Sequence, residues 1–473
     1  MKKYLFQAFI LVVFLISAKA PAQILAEKQA ITGSWLGRID VSAISIRIIF
    51  NLSVIEKDSL IASMDSPDQG VKNIKLGPVT LSGSDIKISA GAMLAEYNGT
   101  IINDTLIEGT WMQAGKTFPL NLGRLKTIFT LNRPQEPTPP FPYKAEDVTF
   151  HNDEFNINLA GTITIPDGAG PFPAVILVTG SGSQNRDEEL LGHKPFLVIA
   201  DHLTRNGIAV LRYDDRGVGQ SQGNPITATT ADLATDAEAA FKYLKTRPEI
   251  KPERIGLAGH SEGGLIAPIV ASVNPGVAFI ISLAGPGVKG EEILHRQNRD
   301  ISTLMGIDEK KIEENIAINR KLFAILKKES DNDKAEEKMM AAYRKILAKK
   351  KVTPEEIEKN VRELSASFGK SSYTWYRYFI STNPVKYWKK VSCPVLALNG
   401  EKDLQVAWDI NLPAIEKALK AGGNKSVSTV NLPRLNHLFQ NSDSGLPSEY
   451  GEIEETFSED VLRLIADWIK GLN

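Results

Sequence analysis

Arg254-Ile255-Gly256-Leu257-Ala258-Gly259-His260-Ser261-Glu262-Gly263-Gly264 decides how the rest of this chain is read. Ile255, Leu257 and Ala258 make an apolar run too short for a helix and bounded by glycines, which predicts a buried strand. Leu265-Ile266-Ala267-Pro268-Ile269-Val270 follows and can open a helix. Strand, tight turn and helix place Ser261 at an apex. Glycines two before and two after it avoid backbone crowding that a Cβ would worsen. The serine hydroxyl then stands above a helix N-terminus, whose N–H groups favour developing negative charge. The same Gly-x-Ser-x-Gly spacing recurs at Gly219-Gln220-Ser221-Gln222-Gly223. There the neighbours are polar and glycine-rich, and Asn224-Pro225 breaks the chain, so Ser221 reads as a turn residue. Ser261 is the candidate nucleophile.

Bulk properties narrow the class. A chain of 473 residues exceeds one ordinary domain. Its 55 basic and 56 acidic residues leave a net charge of -1, which points away from nucleic acid or another polyanionic partner. Met1-Lys2-Lys3, an apolar run over Tyr4–Ala18 and Ala20-Pro21-Ala22 match a secretory leader over residues 1–22. The alternative, an uncleaved anchor helix, is disfavoured because the run is shorter than a membrane span prefers. No cysteine follows it, so a lipid-anchored N-terminus is not expected. The expected location is secreted, in a Gram-negative periplasm. Cys393 is the single cysteine, which excludes an internal disulfide.

Working outward, residues 23–132 predict a small all-β domain, barrel or sandwich. Ser45–Leu52 partly alternates, and Gly33-Ser34-Trp35-Leu36-Gly37 and Gly109-Thr110-Trp111 look like matching strand signatures. Met64–Gly70 is polar and turn-rich: a hairpin connection is favoured over a binding loop. Five prolines between Pro134 and Pro142 predict a stiff linker over 133–144. From residue 145 to 473 the pattern is α/β. A hairpin around Asp147–Phe150 and Ile157–Ile165 precedes continuous apolar runs at Ala174–Val178, Ile208–Arg212, Ile255–Ala258, Phe279–Leu283, Val395–Leu398 and Val427–Leu432. Amphipathic segments alternate with them, predicting a mainly parallel sheet covered on both faces.

In such a sheet the reactive groups gather where strands end. After Val178 comes Thr179-Gly180-Ser181-Gly182, small enough for the Ser181 N–H, with that of Glu262, to form an oxyanion hole. The competing reading, a phosphate-cradling loop, is disfavoured, since Asn185 stands where a third glycine belongs. Asp215 and Arg216, after the next run, read as a hydrogen-bonded turn shaping the site's floor. Asn399-Gly400-Glu401-Lys402-Asp403 follows Leu398, and Asp403 is the expected orienting carboxylate, with Glu401 the second choice. Of six histidines, His437 alone follows a late strand with Ser and Asp already upstream. His260 is too close along the chain to Ser261 to serve as its base.

With these residues assembled, the segment from about 145 onward resembles the α/β-hydrolase superfamily. It is similar to secreted esterases whose prolyl-oligopeptidase-like relatives include serine aminopeptidases. Gly259–Gly264 matches the nucleophile elbow, Gly180-Ser181-Gly182 the oxyanion loop, Asp215–Ser221 the next turn, and Gly400-x-x-Asp403 and Asn436-His437 the triad partners. Thr179 stands where a histidine is often found. Between Leu283 and Val395 the alternation stops. Residues 287–385 read as a helical lid, with Ile312, Ile316, Ile318, Leu322, Phe323 and Leu326 on one apolar face. Lys349-Lys350-Lys351 reads as a solvated face, and the aromatics of Tyr373–Phe379 suit an acyl pocket or lid packing equally. The expected chemistry is hydrolysis of small-molecule carboxylic esters of small or medium acyl groups through an acyl-enzyme. No metal or organic cofactor is implied, and no stable membrane insertion follows leader removal. A peptidase acting on short peptides would need a lid acid for the free amino terminus, with Glu291, Glu292 and Asp300 available. A third reading is an inert glycan- or lipid-binding protein that uses the β domain.

Overall fold

A computed structural model describes residues 21–41, 44–55 and 59–472. The first 20 residues of the expected leader lie outside the described residues. The chain divides into two compact units, one of residues up to Thr130 (the stretch 42–44 excepted) and one from Leu131 onward.

The first unit opens with α1 (Pro21–Ala30), a helix at the start of a domain expected to be all-β from residue 23. Its Ala, Gln, Glu and Lys content favours helix, and proline suits the first helical position. There follow β1 (Gly33–Val41), β2 (Ile44–Ile55), β3 (Ser59–Ser66), β4 (Val71–Lys75), β5 (Val79–Ser82), β6 (Asp85–Ala90), β7 (Ala95–Ile101), β8 (Leu106–Gln113), β9 (Lys116–Pro119) and β10 (Leu122–Arg124). They form an antiparallel half-barrel in the order β4-β3-β2-β1-β10-β8-β7-β6-β5, with β9 on β8. The two matching signatures put Trp35 and Trp111 into one core with Phe50 and Tyr97. The Met64–Gly70 connection is tighter than its polarity suggests. β3 runs through Ser66, and Asp68 is buried, accepting from Arg47 Nε at 2.9 Å.

The second unit carries β11 (Tyr143–Asn152), β12 (Ile157–Pro166), β13 (Phe172–Val178), α2 (Pro195–Arg205), β14 (Ala209–Tyr213), α3 (Thr230–Leu244), β15 (Ile250–His260), α4 (Gly263–Ala271) and β16 (Ile280–Leu283). After β16 the helices α5 (Gly290–Leu304), α6 (Glu309–Lys328), α7 (Asn332–Leu347), α8 (Pro354–Phe368), α9 (Tyr373–Ser381) and α10 (Val385–Trp388) intervene. Then come β17 (Val395–Gly400), α11 (Trp408–Ala421), β18 (Val427–Leu432) and α12 (Glu459–Gly471). The sheet order is β11-β12-β14-β13-β15-β16-β17-β18; pairings are antiparallel up to β14 and parallel beyond it. One face packs against α3, α4 and α11 through residues such as Ala237, Ile266 and Ile415. The other packs against α2 and α12 through Phe196, Leu203, Val461 and Ile465. Burial on both faces is why these strands read as continuous apolar runs.

The proline-rich stretch departs from a free spacer. The Arg133 guanidinium donates to the carbonyls of Leu191, Gly192, Gly451 and Ile453, and Gln135 bonds Phe457, so this segment is tied to the second unit. The helices between β16 and β17 have a core of their own. Leu322, Phe323 and Leu326 of α6, Met339 of α7 and Tyr373 of α9 pack there with Leu265 of α4. That contact sets the inserted helices directly over the helix that follows Ser261.

Candidate active site

β15 runs through His260, and the chain turns at Ser261 with φ of +50° before α4 begins at Gly263. A left-handed conformation costs a residue with a Cβ roughly 1–2 kcal/mol, so the surroundings must hold it. The Ser261 N–H donates to Leu283 O at 2.8 Å, joining the turn to the end of β16. The two flanking glycines are sterically required. A Cβ on Gly259 would sit 2.0 Å from Gly263 O, and one on Gly263 would sit 2.1 Å from Val178 O. Val178 ends β13, so the serine is pressed against the loop that leaves that strand.

Each of the three loop residues after Val178 is held by a different buried carboxyl. Thr179 Oγ1 donates to Asp215 Oδ1 at 2.7 Å, and the Gly180 N–H donates to Glu188 Oε1 at 2.7 Å. The Ser181 hydroxyl stands beside the Glu262 carboxyl. Meanwhile the backbone N–H groups of Ser181 and Glu262, expected as oxyanion donors, take no acceptor among the described residues. Thr179, which replaces the more usual histidine, therefore serves as a tether to Asp215.

His437 lies on the loop after β18, and its Nδ1 is 2.8 Å from Asp403 Oδ2. Both side chains are nearly inaccessible. The second Asp403 oxygen accepts the N–H groups of Gln405 at 2.8 Å and Val406 at 2.9 Å, so the carboxylate is fixed from both sides. Asn436 rigidifies the histidine loop, its Oδ1 accepting from Leu438 and Gln440 N–H and its Nδ2 donating to the Gln440 side chain. Glu401, the second choice, is exposed and bonded to Asn431 instead. Ser221 is buried in a turn, accepting from Ala160 N–H and donating to Asp214 O. Ser261, His437, Gly180 and Ser181 line one cavity of about 230 Å³, roofed by Ile293, Leu294, Trp375 and Phe379 of the inserted helices.

Two residues of the site were not recognised in the sequence. His260 is buried, with Nδ1 2.9 Å from Glu188 Oε1 and Nε2 2.9 Å from His437 O. Both ring nitrogens face acceptors, an arrangement met by the doubly protonated ring. Burial alone pushes its pKa down, but the Glu188 carboxylate outweighs this and holds it above the ordinary imidazole value. Glu188 thereby joins the Gly180 loop, the elbow and the His437 loop. Its partner lies 72 residues away, so no local spacing signals the pair. Around them, burial raises the Asp215 carboxyl to about 8 and also raises Glu262. Arg216 is occupied by Asp236 at 2.7 Å, consistent with a structural turn.

This sheet order, with its elbow after the fifth strand of the second unit and its inserted helices, is the α/β-hydrolase architecture, and the chain is a hydrolase. Residues 194–355 match the family described as serine aminopeptidase, S33. Esterase EstD of Thermotoga maritima is 25% identical over 397 residues, covering 80% of this chain and 86% of that protein. A putative carboxymethylenebutenolidase of Synechocystis is 29% identical over 139 residues, 28% of this chain and 56% of that one. Among solved structures, a Pyrococcus furiosus esterase aligns with 73% of this chain and 99% of its own, with a TM-score of 0.43 and 18% identity. Among the described residues no helix is long and apolar enough to cross a membrane.

Proposed function

We infer that the protein is a serine esterase acting on carboxylic esters of small or medium acyl groups. The observation that carries this reading is the His437–Asp403 hydrogen bond of 2.8 Å with His437 and the strained Ser261 facing one cavity. His437 takes the Ser261 proton through Nε2 while Asp403 holds Nδ1–H and stabilises the imidazolium. The serine oxygen attacks the ester carbonyl, and the oxyanion is received by the Ser181 and Glu262 N–H groups. His437 then gives its proton to the departing alcohol. Water, deprotonated by the same histidine, releases the acid from the acyl-enzyme. The likeness to EstD over most of both chains supports ester substrates.

A peptidase would need an unpaired acid at the cavity for the substrate's amino terminus. Glu291 is bound to Lys327 and Asp300 to Arg296, while Glu292 is exposed on α5. The test is hydrolysis of p-nitrophenyl esters of increasing length beside aminoacyl nitroanilides, by the native protein and Ser261→Ala. Ester turnover is expected, falling by about 10⁴-fold or more in the variant. Faster cleavage of anilides than of esters would move the assignment to a peptidase. Ester turnover that survives Ser261→Ala would remove the serine mechanism.

A further inference from the structure

Beyond the cavity at Ser261 lies a second one of about 450 Å³, enclosed by the other side of the same loop and by the inserted helices. Ser181 and Trp375 line both. Trp375 projects from α9 and stacks on Phe379, with ring centroids 4.9 Å apart and planes 10° apart. Its Nε1–H donates to Glu262 Oε1 at 2.7 Å, an oxygen that also accepts from Thr230 at 2.6 Å. A tryptophan so bound is a wall with a latch. The space behind it has an apolar body formed by Leu233, Phe368, Tyr376 and Ile226, the last 58% exposed. Its floor is polar. Glu262 is 1% exposed, and its carboxyl stands beside the Ser181 hydroxyl.

Resting on the esterase reading, we propose that this second cavity holds the acyl portion of the substrate and that Trp375 is the specificity-determining wall in front of it. The direction follows from the reaction geometry. The leaving oxygen must face His437, which lines the first cavity and not the second. The carbonyl oxygen faces the Ser181 and Glu262 N–H groups, and the acyl chain is left to pass Trp375. The acyl group that fits is an aryl-substituted alkanoyl chain, its ring against Phe368 and Tyr376. Substrates with short acyl groups are held in the first cavity alone.

The experiment compares kcat/KM for p-nitrophenyl acetate and 3-phenylpropanoate in the native protein, Trp375→Ala and Trp375→Phe. A fluorophosphonate label on Ser261 reports the integrity of each variant's site. Removing the wall is expected to raise the phenylpropanoate-to-acetate ratio by about tenfold or more. Trp375→Phe, which keeps the ring and loses the Glu262 bond, is expected to give a smaller rise. Unchanged ratios in both Trp375 variants, with normal labelling, would overturn the acyl-site assignment and leave the esterase standing. If Trp375→Ala alone fails to label, the Phe variant decides. No turnover and no labelling of the native protein would overturn the esterase reading and this inference with it.

Discussion

Asp215, Glu188 and Glu262 concentrate three carboxyls around one short loop, and burial raises the pKa of two of them, Asp215 and Glu262. For Asp215 burial is the dominant effect, lifting its pKa to about 8 against the bonds from Thr179 and the Gln184 N–H, which favour the charge. The unfolded chain would release that proton near the ordinary value of 3.8. Between those two values the native state holds a proton that the unfolded state has lost, so stability is greatest below the lower value and declines as pH climbs to about 8. His260 has the same sign: its raised value makes its contribution full below the ordinary imidazole pKa and lost as pH rises through the folded one. Asp215→Asn keeps both contacts, because the Thr179 hydroxyl can reverse and accept from the new amide. The melting temperature of the native protein is therefore expected to fall more between pH 5 and 8.5 than that of Asp215→Asn, by roughly 3–6 °C. Equal slopes in calorimetric scans would mean that Asp215 is ionised in the folded state.

At the scale of elements, the strand–turn–helix around Ser261 is a steric device. β13, β15 and α4 meet so closely that Gly263 touches the carbonyl of Val178 in the neighbouring strand. Neither partner yields easily, because one is backbone at the end of β13 and the other backbone in the first turn of α4. Gly263→Ala is expected to cost more than about 3 kcal/mol, beyond ordinary overpacking, read as a drop in the urea midpoint or as failure to recover folded protein. A loss below about 1 kcal/mol would show that α4 can slide. The elbow was legible in the sequence because its requirements are local: small residues at fixed offsets, an apolar strand before, a helix former after. The α6 stripe was legible for a similar reason, since a helix with one buried face must repeat its apolar residues at helical spacing. Ile312, Ile316, Leu322, Phe323 and Leu326 are buried as that pattern requires, and Ile318 is half-buried at its edge.

At the scale of the whole molecule, the two units build their hydrophobic cores from separate stretches of chain. The half-barrel core of Trp35, Phe50, Tyr97 and Trp111 is made wholly of residues before Thr130. Phe50 contacts both Tyr97 and Trp111, with ring centroids 5.3 and 6.0 Å apart, and Trp35 Nε1 bonds Ile31 O. A core of this kind needs nothing from the second unit, so residues 21–130 expressed alone are expected to unfold cooperatively by tryptophan fluorescence. Trp35→Ala, which removes a fully buried indole, is expected to abolish the transition at a cost of about 3–5 kcal/mol. A fragment without a transition would make the half-barrel dependent on the rest of the chain.

What the sequence by itself determined is whatever local pattern encodes: the alternation of buried strands and helices, the glycine-flanked serine, the order of Ser261, Asp403 and His437 after β15, β17 and β18, and an inserted helical stretch. These signals survive because strand periodicity, turn sterics and chain order are properties of neighbouring residues. The tertiary structure alone decided which distant groups share a bond. The His260–Glu188 pair, the Thr179 tether to Asp215 and the Trp375 latch on Glu262 join residues 72, 36 and 113 positions apart. A buried charge or indole N–H declares its partner only once packing has removed water and left that partner as the group within reach.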